Sequence, residues 1–300
     1  MSENTRRTVS VGVICMTSSA RLAHCLEAIR GQRSADLDFD VTVVFDPAIP
    51  VEACRSRFPE FHFIPNGGER TPLQLVSTAL ARCQGDLILL TKDHCVPDRH
   101  WVRRMVDAQA PDRAAVGGRV EPPGDASAVE WAFFFIDFYR YTSPIAEGWS
   151  PTLTVCNVSY ERKRLDTIRN VWKDAFVETS VNDALAARFG RLWLEETSEV
   201  TLHRNLTLAD ALFERYAFGR LFACSRVTGV SMGRRLFYVA LSPALPVLLL
   251  GRLTNAALRS RRHTRALLRS CLPLTLMVIS RSVGEWLGYV TGRPPRSFHH

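Results

Sequence analysis

Four short apolar runs separated by helix-length segments constrain this chain most: Val9–Cys15, Phe39–Phe45, Phe61–Ile64 and Leu87–Leu90. Runs of this length bounded by turn residues read as buried strands. Pro47 and Pro50 stop the second run, and Pro65-Asn66-Gly67-Gly68 closes the third. Between the strands, Arg21–Arg30 places Leu22, Cys25, Leu26 and Ile29 at helical spacing, and Pro72–Cys83 is helix-like. Strand, helix, strand, helix, strand predicts an α/β fold: a mostly parallel sheet with helices on both faces. Such sheets bind ligands at the carboxyl ends of their strands, so attention falls on the residues after Cys15, Phe45 and Leu90.

Further along, Asp98–Gln109 reads as a helix and Ala114–Val120, entered near Gly117-Gly118, as a strand. Val129–Tyr141 is crowded with aromatics and reads as a core helix or as the wall of an acceptor site. Thr152–Tyr160, a helix near Val181–Phe189 and a helix over Leu206–Arg226 complete a body of residues 1–230. There is no internal repeat and no low-complexity segment. With 300 residues, 46% hydrophobic and 23% charged, the chain has the material for a sizeable core. That excludes a disordered, collagen-like or coiled-coil protein.

The net charge of +8 is unevenly placed. From Ser231 to His300 there are 11 arginines and one acid, Glu285, whereas residues 1–230 sum to −2. The same tail holds two uncharged stretches, Leu236–Leu250 (with Pro243 and Pro246) and Cys271–Ser280. Between them stand Arg259, Arg261, Arg262, Arg265 and Arg269. Both runs fall short of the ~20 residues a spanning helix needs. The tail, residues 231–300, is therefore expected to be a basic, apolar helical region lying on an anionic membrane surface. A helical subdomain packed on the body, or on a second copy, is the other reading. No stacking motif or nucleic-acid fold accompanies the arginines, so no nucleic-acid partner is expected. The eight cysteines contain no C-x-x-C pair and read as reduced core residues of a cytosolic protein, not as a disulfide frame or a zinc site. MSENTRRTVS has no apolar core of a secretory signal.

The most informative stretch is Gly85–Pro97, a buried strand ending in Thr91-Lys92-Asp93-His94, then Pro97 and Trp101. Here the chain resembles the family 2 glycosyltransferases of the A-type fold, whose strand ends in Asp-x-Asp followed by Pro and a Trp-bearing helix. Val9–Cys15 with its following helix resembles the family's opening unit. Asn66-Gly67-Gly68 resembles its Asn-x-Gly loop, Gly117-Gly118-Arg119-Val120 its post-signature strand, and Cys156-Asn157 its Gly-x-Asn strand. The likeness runs over roughly residues 8–226, and the order of the motifs carries it.

The resemblance implies an inverting transfer of one sugar from a nucleotide-sugar donor, with Asp46 holding the nucleoside. Thr17 and Ser18 in the turn after the first strand would meet the nucleotide, with Lys92 and Asp93 at the diphosphate. Asp93, His94 and His203 are the candidate ligands of a divalent cation, Mn²⁺ or Mg²⁺. Lys92 departs from the signature, since a charged ammonium contacts phosphate but binds no metal. Glu178 is the first candidate for the base that takes the acceptor proton, and Asp183 the reserve. The family's Gln/Arg-x-x-Arg-Trp element is missing, which favours single transfer over polymer synthesis. The expected acceptor is lipid-linked and the expected location a cytoplasmic membrane face. Two other readings stay open, a non-catalytic nucleotide-binding or scaffold relative and a nucleotidyltransferase. No G-x-G-x-x-G or P-loop sequence is present.

Overall fold

The computed structural model describes residues 7–34, 37–67, 71–145, 147–227, 229–260 and 263–293. The chain opens with β1 (Val9–Cys15), α1 (Ser19–Arg30), β2 (Asp40–Phe45), α2 (Glu52–Arg57), β3 (His62–Pro65), α3 (Pro72–Arg82) and β4 (Leu87–Lys92). Then come β5 (Cys95–Pro97), α4 (Trp101–Asp107), β6 (Arg113–Glu121), α5 (Ala128–Asp137), β7 (Gly148–Trp149) and β8 (Val158–Glu161). The remaining elements are α6 (Arg162–Thr167), α7 (Arg169–Trp172), α8 (Glu178–Phe189), β9 (Arg191–Leu202), α9 (Leu208–Val227), α10 (Met232–Leu241), α11 (Leu245–Ser260) and α12 (Thr264–Thr291). They form two compact units, one of residues 1–121 with 141–203, the other of residues 122–140 with 204–300.

The first unit holds one sheet in the order β3-β2-β1-β4-β8-β6-β9-β5, with β7 added on β9. The half built from β3, β2, β1 and β4 is parallel. This is the mostly parallel α/β arrangement the alternating runs predict. Every residue of β1 is buried because strands flank it on both sides and helices cover the sheet. The antiparallel members β5 and β7 are not legible in the sequence, since they are only three and two residues long, whereas β8 is marked by the Asn157 motif. Of β9, a twelve-residue strand, only the end at Val200–Leu202 shows a β-type run; its centre is interrupted by Glu195, Glu196 and Glu199. Within Thr152–Tyr160 only Val158 onward is strand.

Local chemistry sets the helix ends. Ser18 Oγ accepts the Arg21 N–H and starts α1, while Thr71 caps α3 ahead of Pro72. Trp101 begins α4 later than expected, because Asp98 accepts the His100 N–H and holds the chain in a turn. Right-handed crossovers put α1 and α3 on opposite faces, because the chain steps outward from β1 to β2 but returns across β1 to reach β4.

The second unit is helical. A capping box between Ser127 and Glu130 starts α5, whose Phe133 and Phe135 pack with Ala211, Leu267, Leu274, Met277 and Val278. The aromatic helix ends at Asp137, and Tyr139–Tyr141 is a separate 3₁₀ turn. α9 and α12 approach very closely: a Cβ on Gly219 would lie 2.1 Å from the Arg281 carbonyl, and one on Gly284 2.1 Å from that of Tyr216. The tail differs from two short helices. Its first apolar run becomes part of α10 and α11, joined by a 3₁₀ turn at Ser242–Ala244 that contains Pro243. Its second becomes part of the 28-residue α12, which includes Arg265 and Arg269. By length and composition, Met232–Asn255 and Thr264–Thr291 are each long and apolar enough to cross a membrane, their 18-residue apolar windows having mean hydropathies of 1.7 and 1.4. The expectation of runs too short to span is thus corrected, because helix continues through the flanking arginines. Arg261 and Arg262, like Gly68 and residues 1–6, lie outside the described residues.

Candidate active site

β1 pairs in parallel with both β2 and β4, so the chain departs in opposite directions from its two sides. The crevice at the carboxyl ends of β1 and β4 is therefore the topological switch point where ligands sit in open α/β sheets. Asp93 lies at that point and is fully buried. Its Oδ2 accepts the Met16 N–H at 3.0 Å, the Thr17 N–H at 2.7 Å and the Thr17 hydroxyl at 2.8 Å. Its Oδ1 lies 3.0 Å from His94 Nδ1. Burial alone would raise its pKa, but the His94 and Thr17 hydrogen bonds outweigh that and hold the carboxyl below the usual range. Asp93 thus fixes the turn after β1 with Oδ2 and meets the His94 ring with Oδ1.

The other residues expected in the site divide clearly. Ser18 uses its hydroxyl as the α1 cap. Thr17 is half-buried and donates its hydroxyl to Asp93. Asp46 follows β2, half-buried, and its Oδ1 accepts the Ala48 N–H at 2.9 Å in an Asx turn. Lys92 ends β4 and is half-buried. His94 is buried, and its carbonyl accepts the His203 N–H at 2.8 Å. The His203 ring stands 6.1 Å from that of His24 on α1, a neighbour that nothing in the sequence pattern marked.

Glu178 is the first residue of α8 and half-buried, its Oε2 accepting the Val155 N–H at 2.8 Å. Desolvation pushes its pKa up to about 7, against the Val155 hydrogen bond and the Lys92 charge. The Lys92 charge also reaches Cys156 and Cys95. A carboxyl at the start of α8 raised toward neutrality thus feels the charge of the lysine that ends β4, two groups that proton abstraction beside a developing anion can use. Asp183 is exposed on α8, five residues on and turned to another face, and does not join them.

The motif residues beyond the signature hold the sheet. Trp101 Nε1 donates to Asn157 Oδ1 at 2.7 Å, and Asn157 Nδ2 donates to the Arg119 carbonyl at 2.8 Å. A Cβ on Gly118 would fall 2.4 Å from Asn157 Nδ2 and 2.5 Å from the Ser198 carbonyl, so only glycine fits. All eight cysteines are free; six are buried in the core as expected, whereas Cys224 is half-buried and Cys271 exposed. Two of them lie in the site and were read only as core: the Cys95 and Cys156 thiols share with the His94 imidazole a group whose donor atoms all lie within 4.8 Å of one another. The hydrogen bond from Cys95, against the opposing effect of burial, and the Lys92 charge draw Cys156 below the usual thiol pKa.

The family resemblance implies a divalent cation at this strand end. Mg²⁺ and, largely, Mn²⁺ take oxygen ligands. Here the one signature carboxylate has both oxygens engaged by the chain, and a lysine stands at the first signature position. The donors gathered beside them are an imidazole and two thiols. This set does not fit a hard cation, so no chemical step is derived through one.

Comparison with solved structures agrees with the fold. Over 94% of this chain and 88% of the other, it superposes on mannosyltransferase PcManGT from Pyrobaculum calidifontis, in complex with GDP-Man and Mn²⁺ (TM-score 0.59, 15% identity). It matches S. aureus TarS 1–349 in complex with UDP-GlcNAc over 93% and 90% of the two chains (TM-score 0.51, 12% identity). It also matches GalNAc-T7 with UDP, GalNAc and Mn²⁺ over 68% and 45% (TM-score 0.52, 12% identity). A search of the curated proteins returns no match. The profile of glycosyl transferase family 2 matches residues 10–169, more than half of the sequence. With the switch-point crevice, the signature strand and this match together, the chain belongs to glycosyl transferase family 2.

Proposed function

We propose that this glycosyltransferase moves one sugar, with inversion, from a nucleotide-sugar donor to a lipid-linked acceptor hydroxyl at a cytoplasmic membrane face. The observation that carries the reading is Glu178, which begins α8 with Oε2 held by the Val155 N–H at 2.8 Å and whose carboxyl, raised to about 7 by burial, feels the Lys92 charge. Glu178 takes the acceptor's hydroxyl proton as the oxygen attacks the anomeric carbon. The bond from that carbon to the diphosphate breaks in line, and the nucleoside diphosphate leaves with the bonding electrons. Lys92 supplies positive charge to the departing diphosphate. Asp46, following β2 at the same edge as the turn after β1, holds the nucleoside. Thr17 contributes to the turn that faces the nucleotide and is itself positioned by Asp93. Nucleotide sugars as donors are consistent with the GDP-Man and UDP-GlcNAc complexes of the structural neighbours.

The membrane part of the reading rests on the second unit. Met232, Leu236 and Phe237 on α10, Val247 and Leu248 on α11, and Leu268 and Leu272 on α12 are exposed, Val247 by 74% and Leu272 by 70%. Arg252, Arg265 and Arg269 are exposed beside them. Apolar side chains with interspersed arginines suit the interface of an anionic bilayer.

Calorimetry with UDP, GDP and dTDP, each with and without EDTA, tests the donor site. Binding of one nucleotide that survives EDTA supports Lys92 at the diphosphate; no binding of any would favour a scaffold relative. Glu178→Gln is expected to keep donor binding and to lose turnover by roughly 10²–10⁴-fold. Normal turnover in that variant would exclude the base.

A further inference from the structure

The residues that fail to suit a hard cation suit a softer one. We propose that His94, Cys95 and Cys156 form a binding site for a single thiophilic divalent cation of the zinc class. Their donor atoms lie within 4.8 Å of one another, and all three residues are buried. Around a tetrahedral ion with metal–sulfur bonds of about 2.3 Å, two thiolates stand about 3.8 Å apart, so small side-chain rotations close the shell.

The backbone is already fixed at each position. Cys95 lies in β5, opposite Leu202 of β9. The Cys156 carbonyl accepts the Thr91 hydroxyl at 3.0 Å, and the Asn157 side chain next to it is tied to Trp101 and Arg119. A second, independent feature concerns His94. Its Nδ1 faces Asp93 Oδ1 at 3.0 Å, and Asp93 is itself held by Met16 and Thr17. A carboxylate on one ring nitrogen fixes the tautomer and turns the other, Nε2, into the donor, which is the usual outer shell of a zinc-bound histidine.

Charge and composition select the ion. Binding converts two thiols to thiolates and releases two protons to solvent, so the dication and its ligands sum to zero beside Lys92. Imidazole with two thiolates favours zinc-class ions over Mn²⁺ or Mg²⁺. Three protein donors leave one tetrahedral position, and among the described residues no further His, Cys, Asp or Glu joins the group. A water or a substrate oxygen takes that place. The site stands independently of the sugar-transfer reading, because it is measured without donor or acceptor.

The test is a Co²⁺ titration of the reduced full-length protein. A near-ultraviolet thiolate-to-cobalt band saturating at one ion per chain is expected, abolished by one equivalent of Zn²⁺ but not by about a 100-fold excess of Mn²⁺ or Mg²⁺. Cys95→Ser and Cys156→Ser should each weaken binding by about 100-fold or more, whereas Cys271→Ser, at an exposed position, should not. Because a buried substitution can prevent folding, zinc protection of Cys95 and Cys156 from alkylation in the unaltered protein is the parallel readout. No cobalt–thiolate band, a band that survives in folded Cys95→Ser/Cys156→Ser, or equal alkylation with and without zinc would overturn the proposal. So would a native Cys95–Cys156 disulfide in the peptide map.

Discussion

Asp93 Oδ1 and His94 Nδ1 face each other at 3.0 Å at the end of β4, where the carboxylate's other oxygen takes three hydrogen bonds from the turn after β1. The aspartate of the signature therefore joins two parallel strands and orients its neighbour's ring. An Asp93→Asn variant presents an N–H to at least one of these donors and leaves buried groups unsatisfied. It is expected to lose about 2–4 kcal/mol of stability, read from urea unfolding. A loss confined to donor affinity, with stability unchanged, would show that Asp93 contacts ligand directly.

Glu178 gives a pH dependence with a definite sign. Its folded-state pKa of about 7 is above the ordinary carboxylate value. The base form is therefore scarce below pH 7, and kcat/KM should rise about tenfold per pH unit there before levelling off above it. The same raised pKa means that ionising Glu178 opposes folding as pH rises through the range up to 7. Glu178→Gln should accordingly be more stable than the parent at pH 8 and similar to it at pH 4, in paired thermal melts.

Ser18 separates two roles that the sequence leaves together. As the cap of α1 it contributes about 1 kcal/mol, so Ser18→Ala should lower stability by that amount. Nucleotide affinity should change by less than about twofold, since the hydroxyl already serves Arg21. A tenfold loss of nucleotide binding in calorimetry would return Ser18 to the donor site.

The α9–α12 contact predicts a steep response to small additions. Gly284→Ala places a methyl 2.1 Å from the Tyr216 carbonyl oxygen, which backbone cannot easily yield. Destabilisation of about 3 kcal/mol, at the upper end of overpacking effects, is expected in denaturant unfolding. Gly251→Ala, where nothing lies near the added atom, is the matched control.

If the second unit docks on lipid, Val247→Asp with Leu272→Asp should cut sedimentation with anionic vesicles by about tenfold or more. Raising salt should weaken the remaining arginine contribution. Unchanged sedimentation would remove the membrane from the proposed function.

Much of the first unit was legible because each strand of its parallel half is a local event. Val9–Cys15 and Leu87–Leu90 are dominated by apolar residues because both faces are covered, and Pro47, Pro65 and Gly85 mark boundaries between the strands. The same alternation points to the strand end after Leu90, where Asp93 and His94 lie, whereas Glu178 is marked only by the family resemblance. Long-range pairing was not legible. β9 has acids at its centre, yet it pairs along β6 and there joins β7 and β5. Nothing local distinguishes such a strand from a loop.

Sequence alone determined the fold class, the family resemblance and the identity of the strand end that carries chemistry, because these follow from periodicity and the order of motifs. Tertiary structure decided what each side chain at that end does. Asp93 turned inward because the β1 turn offers it three donors, and Asp183 turned outward because a helix carries it away from Glu178. Cys95 follows His94 directly in the chain, but Cys156, 61 positions beyond Cys95, became their neighbour only through its seating on β4. Distances between residues remote in the chain are set by packing, and the acid–base and ligand chemistry of a site depends on those distances.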